Sequence, residues 1–141
     1  MLNIKNLTTT DINLDILEEI AKTLTNREID LTICDDSLIK KYNNTYRGIN
    51  RATDVLSFPI DSEFDNMPLG SIVISSDFVQ KGAREFGHSI ESETALLFIH
   101  GLLHLLGYDH EIDSGEMREK EREIIHQFNL PKSLIVRTER V

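Results

Sequence analysis

Apolar and polar residues alternate in several short stretches of the chain, which is typical of strands buried on one face. The segment around Ile72, Val73 and Ile74 is apolar at successive positions instead, as in a strand that is covered on both faces. Pro59 ends another of these stretches and introduces an exposed, acidic loop over residues 59–69. We therefore predict four strands, at 2–7, 28–34, 53–58 and 70–75.

Apolar residues three and four positions apart fill most of the remaining chain, and this spacing predicts amphipathic helices. Short polar residues that can accept the first free N–H groups precede several of them. The predicted helices are 12–25 with Thr10 or Asp11 as its cap, a short helix from an Asp35 or Asp36 cap to Tyr46, a helix from a Ser76 or Asp77 cap to Phe86, and 113–128.

A fifth helix, predicted over residues 90–106, differs because it is apolar on nearly every side from Ala95 onward. A helix of this kind is normally buried. Its length and its glutamates argue against a membrane span. The pattern as a whole predicts an α+β fold, with a four-stranded mixed sheet and helices packed around a buried central helix.

The composition is consistent with one domain over residues 1–141, since 141 residues with 40% hydrophobic content can form a single core. Cys34 is the only cysteine, which excludes a disulfide framework and a cysteine-based zinc site. No signal-peptide pattern precedes Asp15, and no apolar run is long enough to cross a membrane. We therefore expect a cytoplasmic protein without membrane association.

Charge is unevenly distributed in this acidic chain, whose formal net charge is −9. Residues 36–51 contain four basic residues against Asp36 alone, a local charge of +3, whereas residues 52–69 carry −4. A nucleic-acid enzyme usually carries a basic surface. The basic residues are therefore either such a surface or an ordinary solvated helix face, and they are Lys40, Lys41, Arg47 and Arg51.

Three of the five histidines lie within eleven residues, in the pattern H-x-x-x-H-x-x-G-x-x-H. His100 and His104 project from the same face of a helix. Gly107 can adopt a left-handed conformation and end that helix, so that His110 returns toward the other two. Three histidines with an open fourth position are typical of catalytic zinc, although nickel, copper and iron also accept such ligands. His88 and His126 are interpreted as structural.

The spacing resembles that of the metzincin zinc peptidases, H-E-x-x-H-x-x-G-x-x-H. The glutamate that serves those enzymes as general base is replaced here by Gly101, which cannot transfer a proton. This difference argues against peptide hydrolysis. It favours a reaction that zinc-activated water can start largely without a further base.

Two blocks of sequence resemble the YbeY family of bacterial endoribonucleases, also called rRNA maturation factors. The first is His100 to His110, which is similar to the family pattern H-G-x-L-H-L-x-G-Y-D-H. The second is Tyr46-Arg47-Gly48 followed by Thr53 to Pro59, which reads T-D-V-L-S-F-P. The predicted order of strands and helices fits the family over essentially the whole chain. One departure is Ser71, where the family often has an aspartate.

The resemblance implies a single-domain α+β enzyme with one zinc ion that cleaves single-stranded RNA. It also implies roles in 16S rRNA 3′-end maturation and late 30S quality control, with the 30S subunit and assembly factors such as an Era-type GTPase as partners. His100, His104 and His110 correspond to the family's zinc ligands. Arg47 corresponds to the family's functionally important arginine near the metal.

Cleavage of RNA also requires a group that binds the phosphate, and the planar guanidinium of arginine suits it. Arg47 is the first candidate and Arg51 the second, with Lys40 and Lys41 as further RNA-binding residues. Asp109 precedes the third histidine and could orient a ligand, act as a base or cap the turn after Gly107. Two alternative functions remain: a ribosome-assembly factor with a structural zinc, and a zinc peptidase, which Gly101 disfavours.

Overall fold

A computed structural model describes residues 1–60, 67–109 and 111–131 of the chain. Strands and helices follow one another in a mixed order that confirms the predicted α+β class. They are β1 (Leu2–Asn6), α1 (Asp15–Leu24), β2 (Ile29–Cys34), α2 (Asp36–Arg47), β3 (Val55–Pro59), β4 (Gly70–Ser75), α3 (Ser76–Phe86), α4 (Ile90–Leu105) and α5 (Glu116–Gln127).

The four strands form one mixed sheet in the order β1-β2-β4-β3. β1 is parallel to β2 and β2 is parallel to β4, whereas β3 is antiparallel to β4. β3 therefore lies at an edge of the sheet. Its last residue is Pro59, which the sequence pattern placed after the strand. An edge strand tolerates this proline because one of its sides needs no backbone donor.

Helix α4 packs against one face of the sheet and lies in the main hydrophobic core, as predicted. Its side chains at Phe98, Ile99 and Leu102 are fully buried. At Gly101 the helix approaches the sheet closely, since a Cβ added there would lie 3.0 Å from Ile72 Cγ2 and 3.3 Å from Val55 Cγ2. The opposite face of the sheet is covered by α2, through a smaller cluster of buried residues formed by Cys34, Ile39, Leu56 and Val73.

The helix starts differ from the predicted ones at three places. α1 begins at Asp15, after Leu14, and no side chain caps it, so neither Thr10 nor Asp11 has the predicted role. α3 begins one residue early, because the hydroxyl of Ser75 accepts the Phe78 N–H. α5 begins at Glu116 rather than near residue 113.

The predicted cap of α2 is confirmed, because Asp35 accepts the Leu38 N–H at 2.9 Å. Part of the predicted acidic loop, residues 61–66, lies outside the described residues. No helix in the described ranges has the length and apolar character required to cross a membrane.

Candidate active site

The last two turns of α4 present two histidine side chains to an open cleft. His100 and His104 are one helical turn apart, and their rings meet edge to face with centroids 4.8 Å apart. Their Nε2 atoms are separated by 3.3 Å. The predicted convergence of these two imidazoles on one point is therefore present in the fold.

Each ring is oriented by an acceptor on its other nitrogen. His100 Nδ1 donates to Glu121 Oε1 of α5 at 3.3 Å, and His104 Nδ1 donates to the Tyr108 carbonyl at 3.0 Å. A proton on Nδ1 of each ring satisfies these acceptors and leaves the two Nε2 atoms, 3.3 Å apart, available as ligands. An acceptor on the second nitrogen is the usual support of a metal-binding histidine.

Gly107 produces the turn that brings the Tyr108 carbonyl to His104. Its φ of +100° confirms the predicted left-handed conformation, which costs glycine little. After the turn, the Tyr108 N–H donates to the Leu103 carbonyl at 3.0 Å, which closes the end of α4. The third predicted ligand, His110, lies outside the described residues. Within the described residues no group of three or more histidine, cysteine or acidic side chains could hold a metal ion.

The donor pair fits a zinc ion by its spacing. Zinc–nitrogen bonds of 2.0–2.1 Å at a tetrahedral angle separate two ligand nitrogens by about 3.3 Å. The distance between Nε2 of His100 and Nε2 of His104 is 3.3 Å. Glu121 is only 2% exposed, and its Oε2 has no hydrogen-bond partner among the described residues. A buried carboxylate beside His100 adds negative charge, which favours a cation between the two rings.

The cleft in front of the histidines has a volume of about 640 Å³. Residues from α2, β3, α4 and the turn after α4 form its walls. Among the described residues they are Tyr46, Arg47, Asp54, Val55, Ser57, Phe58, Pro59, His100, Gly101, His104, Gly107, Tyr108, Asp109 and Glu111.

Of the four basic residues singled out in the sequence, only Arg47 lines this cleft. Arg51, Lys40 and Lys41 are exposed outside its described walls. None of the four forms an ion pair with a carboxylate in the described part of the chain. Of these four residues, Arg47 is therefore the one best placed to meet an anion in front of the histidines.

Asp109 lines the cleft, and its Oδ1 accepts the Glu111 N–H at 3.0 Å. This contact agrees with one of the three roles considered for Asp109, that of capping the turn after Gly107. The partners of His100 and His104 are Glu121 and the Tyr108 carbonyl instead. Support of His110 by Asp109 stays a prediction.

Two contributors to the site were assigned no role from the sequence. Glu121 is buried on the packing face of α5, four residues after Met117 and three before Ile124. A glutamate at this position on an otherwise apolar face was a visible signal, because a buried carboxylate needs a partner. Asp54 lines the cleft as well, with its Oδ1 accepting the Val55 N–H at 2.8 Å. No periodicity distinguishes Asp54 from other loop acids.

The remaining candidate nucleophiles and ligands lie outside the described cleft walls. His88 Nε2 is 2.5 Å from Glu93 Oε2, and both side chains are buried. His126 is exposed in the last turn of α5. Burial, with the negative charges of Asp35 and Asp36, raises the pKa of the Cys34 thiol to about 11. This thiol is protonated at neutral pH and is a poor nucleophile.

Comparison with known proteins agrees with this architecture. The solution structure of TM1509 from Thermotoga maritima is similar with a TM-score of 0.63 and 30% sequence identity, covering 91% of this chain and 89% of that one. A relative named Endoribonuclease YbeY from Sulfurovum sp. is 53% identical over 144 residues, with 99% of this chain and 98% of the relative covered. Another of that name, from Sulfurimonas denitrificans, is 55% identical over 139 residues, 99% of each chain.

The family described as Endoribonuclease YbeY matches residues 3–129 of this chain. This range includes the cleft walls, the two histidines and Glu121. The match and the relatives agree over nearly the whole sequence, so the likeness is not confined to the histidine motif. The chain belongs to the YbeY family of endoribonucleases, which are hydrolases acting on RNA.

Proposed function

We propose that this endoribonuclease is zinc-dependent and specific for single-stranded RNA, with one ion per chain held by His100, His104 and His110. The observation that carries the proposal is the 3.3 Å separation of the two Nε2 atoms. Both atoms are left as acceptors by the contacts of the opposite ring nitrogens. A third histidine leaves the fourth position of a tetrahedral ion open, as in catalytic zinc sites.

When bound, zinc would supply one of two kinds of chemistry, activation of a water molecule as nucleophile or polarisation of a phosphoryl oxygen. The protein residues have separate tasks around it. Glu121 and the Tyr108 carbonyl hold the two imidazoles in their ligating orientation. Arg47 binds two phosphate oxygens through its planar guanidinium and offsets the charge that develops there during cleavage.

The carboxylates of the cleft are the candidate groups for proton transfer. Asp54, Asp109 and Glu111 line the walls in front of the histidines. A proton released by the attacking water needs an acceptor within hydrogen-bond reach, and these three groups are the acidic candidates among the described residues. Gly101 offers no base, and a Cβ at this position would meet Ile72 and Val55, which disfavours the peptidase alternative.

For the cellular role, we propose 16S rRNA 3′-end maturation and late 30S quality control. The proposed partners are the 30S subunit and an Era-type GTPase. Membership of the family supports this assignment. The basic residues of α2 and of the segment after it, which include Lys40, Lys41 and Arg51, are exposed and would provide positive charge for the RNA backbone.

The test combines metal analysis with cleavage of a short single strand that matches a 16S rRNA 3′ end. We expect one zinc per chain, loss of cleavage with a chelator, and recovery when zinc is restored. His104→Ala should lose both metal and cleavage. His126→Ala is the matched control, because that histidine is exposed in α5 and is not a proposed ligand.

Two outcomes would contradict the proposal. Full metal content in His104→Ala would exclude this site. A structural zinc would be indicated if removal of the metal unfolds most of the protein while the fraction that stays folded still cleaves RNA. Circular dichroism and a thermal melt of the chelated protein separate these cases from a catalytic ion.

A further inference from the structure

Three aromatic rings follow one another from α2 to the wall of the cleft. Tyr42 and Tyr46 lie one turn apart on α2, with ring centroids 6.1 Å apart and planes 21° from parallel. Phe58 of β3 meets Tyr46 edge to face, at a centroid distance of 5.4 Å and an angle of 61°. We call these three residues the aromatic row.

Tyr46 is the member of the row that faces solvent. Tyr42 and Phe58 are partly buried against the small core cluster under α2. Tyr46 is 65% exposed, and yet its ring contacts both of its neighbours. Ring contacts of this kind restrict the side chain. Burial in the core does not account for a fixed tyrosine ring that leaves most of its surface in water.

The position of Tyr46 connects this ring with the site. Tyr46 and Phe58 both line the cleft that contains His100 and His104. Arg47, the candidate phosphate-binding residue, follows Tyr46 directly in the chain. One end of α2 therefore offers an aromatic face and a guanidinium to the same cleft. An unpaired nucleotide has the complementary pair of groups, a flat base and a phosphate.

We propose that Tyr46 is a stacking platform for one unpaired nucleobase of the RNA substrate, next to the phosphate that Arg47 binds. This inference rests on the proposed cleavage of single-stranded RNA at the histidine site. Stacking on an exposed ring requires a base that is not already stacked within a duplex. Tyr46 would thus contribute to single-strand specificity while showing little preference between bases, because every base has a π face.

The variants are Tyr46→Leu, which removes the ring, and Tyr46→Phe, which keeps it. Stacking of one base is worth a factor of about 5 to 150 in affinity. We expect Tyr46→Leu to raise the half-saturating RNA concentration by a factor in this range, with a smaller change in the single-turnover rate at saturation. Tyr46→Phe should stay within about twofold of the wild type, since the ring is retained.

A second readout reports stacking directly. An RNA strand with 2-aminopurine at successive positions should show quenched fluorescence at one position, measured by rapid mixing before cleavage. The quenching should persist with Tyr46→Phe and disappear with Tyr46→Leu. An abasic nucleotide at the same position should weaken wild-type binding and have little further effect on Tyr46→Leu, as expected for two changes that remove one contact.

The outcomes separate this inference from the proposed function. If the zinc-loaded wild type cleaves no RNA, the proposed function fails. If the wild type cleaves but no abasic position weakens its binding, the stacking platform is excluded, and this measurement needs no variant. Equal half-saturation for Tyr46→Leu and wild type, at equal zinc content, also overturns it. So does a Tyr46→Phe variant as weak as Tyr46→Leu, which would assign the effect to the hydroxyl.

Discussion

At the scale of single residues, the orientation of His100 depends on a carboxylate from another helix. Glu121 reaches His100 Nδ1 from α5 and is buried. Removing a partner of this kind typically costs a 10- to 100-fold loss of metal affinity, because the ring orientation and its basicity both change. We predict that Glu121→Gln binds zinc about 10- to 100-fold more weakly than the wild type, measured by competition with a chelating dye.

The matched control for this change is Glu123→Gln, in the same helix. Glu123 has a side chain that is 62% exposed and pairs only loosely with Lys120, at 3.5 Å. An exposed pair of this type contributes little to stability. Equal zinc affinity in Glu121→Gln and Glu123→Gln would show that the buried carboxylate does not support the metal site.

Arg47 provides a second prediction at this scale. Arg47→Ala should keep the fold and the zinc but lose about 2–4 kcal/mol of transition-state stabilisation, or roughly 30- to 1000-fold in single-turnover cleavage. The loss should be larger in rate than in RNA affinity if the guanidinium acts mainly in the transition state. Lys81→Ala removes one exposed charge from α3 and should change neither the cleavage rate nor the RNA affinity. Equal rates for Arg47→Ala and wild type would transfer the role to Arg51.

At the scale of secondary-structure elements, the sequence pattern located all nine helices and strands of the described chain but not every boundary. The prediction for α4 was the clearest, because a helix that is apolar on nearly every side must be buried and because Gly107 indicated where the helix ends. The start of α1 was missed because a polar residue signals a cap only if the following backbone turns helical there. Glu121 was missed as a partner of His100, because spacing within one helix does not give the contacts of another.

The packing of α4 on the sheet leads to a prediction for Gly101. A glutamate at this position restores the glutamate of the metzincin motif, but its Cβ would lie 3.0 Å from Ile72 and 3.3 Å from Val55. We expect Gly101→Glu to be destabilised by more than about 2 kcal/mol in urea unfolding, through crowding and burial of a charge. We also expect no peptidase activity, because the cleft was not built for a peptide.

Gly101→Ala serves as the comparison for this variant. The gain in helix propensity of about 1 kcal/mol offsets part of a crowding cost of about 1–3 kcal/mol, so its stability should lie between wild type and Gly101→Glu. Efficient casein cleavage by a stable Gly101→Glu protein would show that the preference for RNA does not depend on this position.

At the scale of the whole molecule, the negative net charge limits how the protein holds RNA. The formal net charge is −9. The basic residues of α2 and of the segment after it are exposed, and they are Lys40, Lys41, Arg47 and Arg51. A net negative charge opposes the approach of phosphate at low salt. RNA contact should therefore be confined to the region around the end of α2, where Arg47 and Tyr46 lie, and long stretches of backbone should not be bound.

This confinement predicts a shallow salt dependence of RNA binding. Each neutralised phosphate of a single strand contributes about −0.7 to the slope of log K against log salt, so four basic residues give a slope no steeper than about −3. Affinity should thus fall at most about 50-fold between 50 and 200 mM salt, measured by anisotropy of a labelled single strand. The double variant Lys40→Ala/Lys41→Ala should reduce the slope by up to about 1.4 if both lysines contact phosphate. A wild-type slope steeper than −6 would require a basic surface elsewhere, which would contradict confinement of the RNA to the cleft.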